Sequence, residues 1–201
     1  MAIKFQYNKT SMQELTKQLK VRVKTLPTIK SKESALRVEV KKTKSEVTSL
    51  TESFEKQIAS YSEIYGLWVE FDQSLIKIED VILSTKKIAG VQTPVLEDIV
   101  FSIKDFFIFN KPFWFYDGIS ILKNIAKTAI EKEVASRKLE MLDYARKKTT
   151  QKVNLYEKVQ IPGFEEAIIK IKRYLEDEDN LSKSAQKIVK TRQNQRKETE
   201  V

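Results

Sequence analysis

Residues 47–82 read VTSLTESFEKQIASYSEIYGLWVEFDQSLIKIEDVI. Apolar side chains recur through them at Val47, Leu50, Phe54, Ile58, Tyr61, Tyr65, Trp68, Phe71, Leu75, Ile78 and Ile82, ten steps over 35 residues. That mean step of 3.5 residues is shorter than the turn of a straight α-helix. Such a stripe stays on one face only if the helix winds left-handedly about a partner. Upstream it continues through Val40, Leu36, Ile29, Leu26, Val23, Leu19, Leu15 and Met12, with gaps at Glu33 and near Lys44.

The second half of the chain carries a matching stripe. Ala167, Ile171, Tyr174, Glu178, Leu181, Ala185 and Ile188 alternate steps of four and three, preceded by Ile121, Ile125, Ala129, Ala135, Leu139, Leu142, Val153 and Tyr156. Each stripe is the one segment of the chain long enough to cover the other. The expected fold is mainly α: a long antiparallel two-helix coiled coil.

The texture changes over residues 88–118, IAGVQTPVLEDIVFSIKDFFIFNKPFWFYDG, which hold Gly90, Pro94, Pro112 and Gly118. β-Branched and aromatic residues between Pro and Gly predict short strands. Residues 95–103 and 113–116 are expected to pair as a small hairpin, a marginal element by itself in water that needs the helices or another protein to rest on. The expected organisation is an N-terminal helical arm over 1–87, a β-hairpin and aromatic knob over 88–118, and a C-terminal helical arm over 119–201. Each arm of some 70 residues would run about 100 Å. Antiparallel pairing about the knob predicts that residue numbers across the seam add to about 200, placing Leu19 near Leu181 and Leu15 near Ala185. Pro27 and Pro162 should kink their arms, because proline lacks the amide donor and crowds the preceding turn.

Composition narrows function. The 201 residues include four Gly and four Pro, too few for a fold of many tight turns. With no His and no Cys, the chain lacks imidazole and thiol nucleophiles, Ser–His triads and the nitrogen and sulfur ligands of zinc and haem. Its glycines, Gly66, Gly90, Gly118 and Gly163, are too far apart for a phosphate-cradling loop. These absences argue against an enzyme acting alone and imply no cofactor, metal or small-molecule ligand. The start, MAIKFQYNKT, has no apolar signal core, and residues 106–116 are too short and too interrupted to span a bilayer; the expected location is cytoplasmic.

Charge is uneven on a chain of net +9. Residues 1–50 hold twelve Lys/Arg and four acids; residues 51–80 hold two Lys and seven acids; residues 181–201 hold six Lys/Arg and two acids. Antiparallel pairing brings both basic segments to the terminal end, where an acidic or anionic socket would suit them.

In order, the chain shows Lys30-Ser31-Lys32-Glu33-Ser34-Ala35-Leu36, then Ala89-Gly90-Val91-Gln92-Thr93-Pro94, then Val153-Asn154 with Glu157, Ile161-Pro162, and Leu175-Glu176 with Glu178. This series resembles the Lys-x-Lys-x-x-Ala-Leu, Gly-Val-x-x-Pro, Val-Asn, Ile-Pro and acidic motifs of the D subunit, the central rotor shaft of V-type and A-type rotary ATPases, over nearly the whole chain. Pro27, Gly163, Asn180 and Gln151-Lys152 depart from that pattern and suggest a divergent bacterial branch. The resemblance implies a non-catalytic central-stalk subunit, peripheral to the membrane. It would couple ATP synthesis or hydrolysis in a head of catalytic A and regulatory B subunits to proton or sodium transport by rotation. It further implies head contacts at Lys17, Lys20, Lys24, Lys187, Lys190, Arg192 and Gln193. Contacts with the small F subunit of the rotor are implied at Val91, Pro94, Phe113, Trp114, Phe115 and Tyr116, with the funnel-shaped d (or C) subunit linking the turn to the membrane ring. Two rivals fit the residues more loosely. A basic coiled coil could bind nucleic acid or anionic membrane, although the aromatics cluster away from the basic end. A structural tether is the other.

Overall fold

The computed structural model describes residues 3–61, 65–104 and 112–199. In chain order these form helix α1 (Lys9–Tyr61), the short α2 (Tyr65–Trp68), a 3-10 turn (Gln73–Leu75), strands β1 (Ile76–Ile88) and β2 (Val91–Ile103), helix α3 (Phe115–Asn154), a π-helical turn (Leu155–Gln160) and helix α4 (Ile161–Thr199). Two compact units divide them, residues 1–31 with 150–201 and residues 32–149.

In the 32–149 unit, the inward positions of α1 are Leu36, Val40, Thr43, Val47, Leu50, Phe54, Gln57 and Tyr61, in strict alternation of four and three. The apparent gap near Lys44 is filled by Thr43, which is wholly buried. Ile58, expected in the seam, is largely exposed, and Gln57 takes its place. From α3, Ala135 and Leu142 are buried. Lys138 reaches Glu46 at 3.3 Å, and the Lys132 ammonium lies 5.2 Å from the centre of the Phe54 ring.

The hairpin differs from expectation. Its strands are β1 and β2, antiparallel from Ile76↔Ile103 to Ile88↔Val91. Residues 113–116 instead lead into α3. Among the described residues, helix in the N-terminal arm is therefore confined to α1, α2 and the 3-10 turn rather than running to 87, and the β-element begins at Ile76 rather than within 88–118. Leu75, Ile78 and Ile82 satisfy a helical stripe, yet Ile76, Ile78, Val81, Ile82, Thr85 and Ile88 also supply β-branched side chains suited to a strand. Two bulges, at Ile78/Asp80 and Ile82/Leu83, shift the strand's phase and hide its period of two.

Ala89 and Gly90 form the two-residue turn, both with positive φ, 48° and 84°. That is the primed geometry whose twist matches paired strands. Glycine adopts it freely, whereas alanine suffers the Cβ clash of the left-handed region. Ala89→Asn should therefore raise the unfolding free energy by about 0.5–1 kcal/mol, measurable as a higher denaturant midpoint, and Ala89→Val should lower it.

The hairpin lies back along α1. At its tip, a Cβ on Gly90 would sit 3.0 Å from the Lys32 ammonium nitrogen. At its base, the Lys104 amide donates to the Leu75 carbonyl at 3.0 Å. There Phe71, Leu75, Phe115 and Ile119 form a buried core with Trp68, Ile76, Trp114 and Leu122 against it. The rings of Trp68 and Trp114 meet edge to face at 5.5 Å.

In the other unit, Leu15, Phe164, Ala167 and Ile171 make the core, flanked by Ile3, Phe5, Met12, Leu19, Ile168 and Leu175. Val23, expected in the seam, is largely exposed. Arg22 turns inward instead, its guanidinium 4.6 Å from the centre of the Phe164 ring and its Nε donating to Gln160 Oε1 at 2.7 Å. The segment before α1 alternates, so Ile3 and Phe5 reach the core. The Tyr7 and Tyr174 rings meet at a tilt of 46°, their centres 4.9 Å apart. Asn8 Oδ1 accepts the Ser11 amide at 2.7 Å, starting the helix as an N-cap does.

The prolines behave differently from one another. Helix α1 runs through Pro27. Ahead of Pro162 the helix widens to a π turn, in which the Ile161 amide donates to the Tyr156 carbonyl. Proline has no amide to donate and presses on the carbonyl four residues back, so the wider turn absorbs the strain. Seam positions Tyr156, Gln160 and Phe164 follow at two successive steps of four, showing the extra residue that the π turn takes in.

Candidate functional site

The pairs 7 with 174, 22 with 160, 30 with 157, 46 with 138 and 54 with 132 have residue numbers that add to 181–187. The expected total of about 200 is overturned. The turn between the arms is centred near residue 92 rather than 100, because α1 ends early and the hairpin occupies residues 76–103. Leu15 consequently packs with Ala167 and Ile171 and not with Ala185, and Leu19 packs beside Phe164 and not Leu181.

One consequence shapes the terminal end. The last α4 residue in the core is Leu175. Every residue from 176 to 195 is exposed, including Leu181 at 72% and Ile188 and Val189. Helix α4 thus projects some 20 residues beyond its packing on α1, about 30 Å at helical rise. Lys17, Lys20 and Lys24 are exposed on the packed part of α1, at the level of residues 160–167, whereas Lys187, Lys190, Arg192 and Gln193 are exposed on the projection. The two basic groups share an end of this unit but are staggered along the helix by about 40 Å, centre to centre.

The projection is polar in sequence as well as in exposure. Glu176, Asp177, Glu178 and Asp179 open it, and Lys183, Lys187, Lys190 and Arg192 follow. Lys183 Nζ donates to Asp179 Oδ2 at 2.6 Å across one turn, and Lys172 lies 3.7 Å from Glu176. Such exposed pairs stabilise a helix by a few tenths of a kcal/mol each, which helps a helix outside the core to persist.

The six residues expected at the second surface separate into two places. Val91 and Pro94 lie near the hairpin tip, where Pro94 opposes Thr85. Trp114 and Phe115 belong to the aromatic core at its base. Twelve residues of strand put about 40 Å between these places. Phe115 is 1% exposed, so it is core and not contact surface. Phe113 at 78% and Tyr116 remain exposed, and so do Leu67 and Val69 in the separate turn that carries Trp68 to the same aromatic core. Phe107 and Phe109, read as part of the knob, fall outside the described residues. Composition had no means of showing which aromatics the base of the hairpin would bury.

Among the described residues, no group of carboxylates is placed to hold a metal ion, and no helix is long and apolar enough to cross a membrane. Among the described residues, the exposed features of note are the α4 projection, the hairpin, and the apolar turn at Leu67 and Val69 together with Phe113.

A family model described as the D subunit of ATP synthase matches residues 11–191. The V-type ATP synthase D subunit of Borreliella burgdorferi is 29% identical over 196 residues, covering 94% of each chain. Those of Chlamydia felis and Chlamydia caviae are 30% and 28% identical over 178 residues, covering 86% of each chain.

Proposed function

From the premise that the chain belongs to the ATP synthase D-subunit family, as a component of a V-type ATP synthase, we propose that it is the central rotor shaft of that complex. In this reading the α4 projection enters a head of A and B subunits, the hairpin and the exposed apolar turn meet the F subunit and the d (or C) subunit, and rotation couples ATP turnover to proton or sodium transport. The observation that supports it most is the bare helical projection. An exposed helix with Leu181, Ile188 and Val189 outward is costly to maintain alone, and a socket around it accounts for both its apolar residues and its cations.

Mechanism follows from asymmetry. Three catalytic sites around an off-axis helix meet different faces of it, so each shaft angle favours one combination of open and closed sites. The chain contributes no bond chemistry. It must resist twisting, and the interlocked seam does so because turning one helix against the other would shear packed pairs such as Leu15 with Ala167.

Removing residues 176–201 tests the assignment. The core clusters end at Leu175, so the shortened chain should keep its helicity and its thermal transition. It should lose at least 90% of its copurification with A and B subunits and uncouple ATP hydrolysis from ion transport. A shortened chain that still supports coupled transport would reject this reading.

A further inference from the structure

The projection holds a stripe that continues the seam after its partner has ended. Leu181, Ala185 and Ile188 follow at steps of four and three and all are exposed, with Val189 beside them. On a heptad that places Leu181, Ala185 and Ile188 at core positions, Ser182, Ser184, Val189 and Thr191 flank the stripe without charge, and Lys183 and Lys187 point away from it.

Charge gives the stripe a direction. Its N-terminal end carries the four acids 176–179, and the rest carries Lys183, Lys187, Lys190 and Arg192. Over 176–195 the four cations balance the four acids, on a chain of net +9. The best partner is a helix with the same apolar stripe and the opposite charge polarity. A second copy of this chain, turned end for end, is such a helix. A two-fold axis near Ala185 sets the acids 176–179 beside the partner's Lys190 and Arg192, leaves Lys183 level with the partner's Lys187 but turned away from the seam, and brings leucine and isoleucine together around the small Ala185. A parallel pair would oppose acid to acid and cation to cation.

We propose that the unassembled chain pairs with a second copy of itself through residues 176–195, as a short antiparallel coiled coil. The interface is small, between five and six turns of helix, so the pairing is weak and concentration-dependent. It is also sensitive to salt, because its direction is set by exposed charges. The self-pairing does not rest on the shaft reading. What rests on that reading is one consequence: a socket for the projection and a second copy would compete for the same stripe.

The test uses the full chain with no other protein present. Sedimentation velocity should show a reversible monomer–dimer equilibrium. Leu181→Asp with Ile188→Asp should shift it toward monomer at least tenfold without changing the thermal unfolding of the chain. Reversing charge with lysines at 176–179 should weaken self-pairing about tenfold. Mixing that variant with one carrying Glu at Lys187, Lys190 and Arg192 should restore pairing between the two. Orientation is read from single nitroxides, which the absence of native cysteine makes unambiguous. Two labels at Ser184→Cys should lie close across the dimer. Two at Gln193→Cys should lie some 20–30 Å further apart along the axis, because each residue of displacement counts twice in an antiparallel pair. Equal distances at both sites would mean a parallel pair and overturn the proposal. So would a chain that stays monomeric at several hundred micromolar, or a dimer unaffected by the two Asp substitutions.

Discussion

Oxidising a cysteine placed at Lys190 to a cysteine in the facing loop of the head is expected to stop multi-turnover ATP hydrolysis before one full rotation, and a thiol reductant to restore it. Lys190 lies on the projection, exposed and past the last packed residue of α4, where the shaft reading brings it against the stator. The chain has no other thiol, so on this chain the bond can form at one place alone. Its geometry requires Cα atoms within about 7 Å, which restricts formation to a compatible angle and then holds the rotor there. The loss should be near complete, since a covalent link cannot be outrun by a catalytic step. The control is a link inside the rotor. Leu15 and Ala167 share one core cluster, and both helices turn together, so a bond between cysteines at those positions should leave turnover intact. A pair at Leu15 and Ala185 cannot serve, because Ala185 lies on the projection, beyond the reach of α1. Coupled turnover that continues with the rotor–stator link fully formed would remove the shaft reading.

Much of the fold is legible in periodicity. The 3.5-residue stripe locates the inward faces of both arms, and Leu36, Ala135, Leu142, Ala167 and Ile171 are buried where it puts them. Its errors have physical causes. A stripe marks positions one residue wide, and polar side chains with long stems can fill them: Arg22 stacks on Phe164 where Val23 was expected, and Gln57 turns in where Ile58 was. Across residues 75–82 one set of isoleucines and leucines satisfies both a helix and a bulged strand, and the longer pattern drew the strand into the helix. The two-residue turn Ala89-Gly90 was a weak signal, because only one of its residues is a usual one at positive φ.

The candidate surfaces were less legible, since each depends on register and register depends on where the turn is centred. Moving that centre from residue 100 to about 92 leaves α4 some 20 residues longer than its partner and separates the two basic groups along the helix. Motif order carried the family across these errors, because Gly90-Val91 with Pro94, and Ile161-Pro162, keep their places in the chain whichever residues they face. Aromatic clustering pointed to the base of the hairpin, yet it did not separate Phe115, which is buried, from Phe113, which is not.

Leu142→Ala and Leu181→Ala turn the register into a measurement. In sequence the two leucines are equivalent, each at a core position of the same stripe. In the structure Leu142 is fully buried at the α3 seam, and Leu181 is 72% exposed. Removing a buried leucine side chain costs the transfer of its methyl groups and leaves a cavity that rigid neighbours fill only in part, about 2–5 kcal/mol in total. Truncating an exposed leucine on a helix loses little packing, and alanine is at least as good a helix former, so the change should stay within about 0.5 kcal/mol. Denaturant unfolding at submicromolar chain, where separate copies do not pair, should show a large fall in midpoint for Leu142→Ala and almost none for Leu181→Ala. A register with totals near 200 predicts the opposite for Leu181, which would then be clamped against Leu19. A loss at Leu181 comparable to that at Leu142 would restore that register and, with it, cover the stripe on which both the head contact and the self-pairing depend.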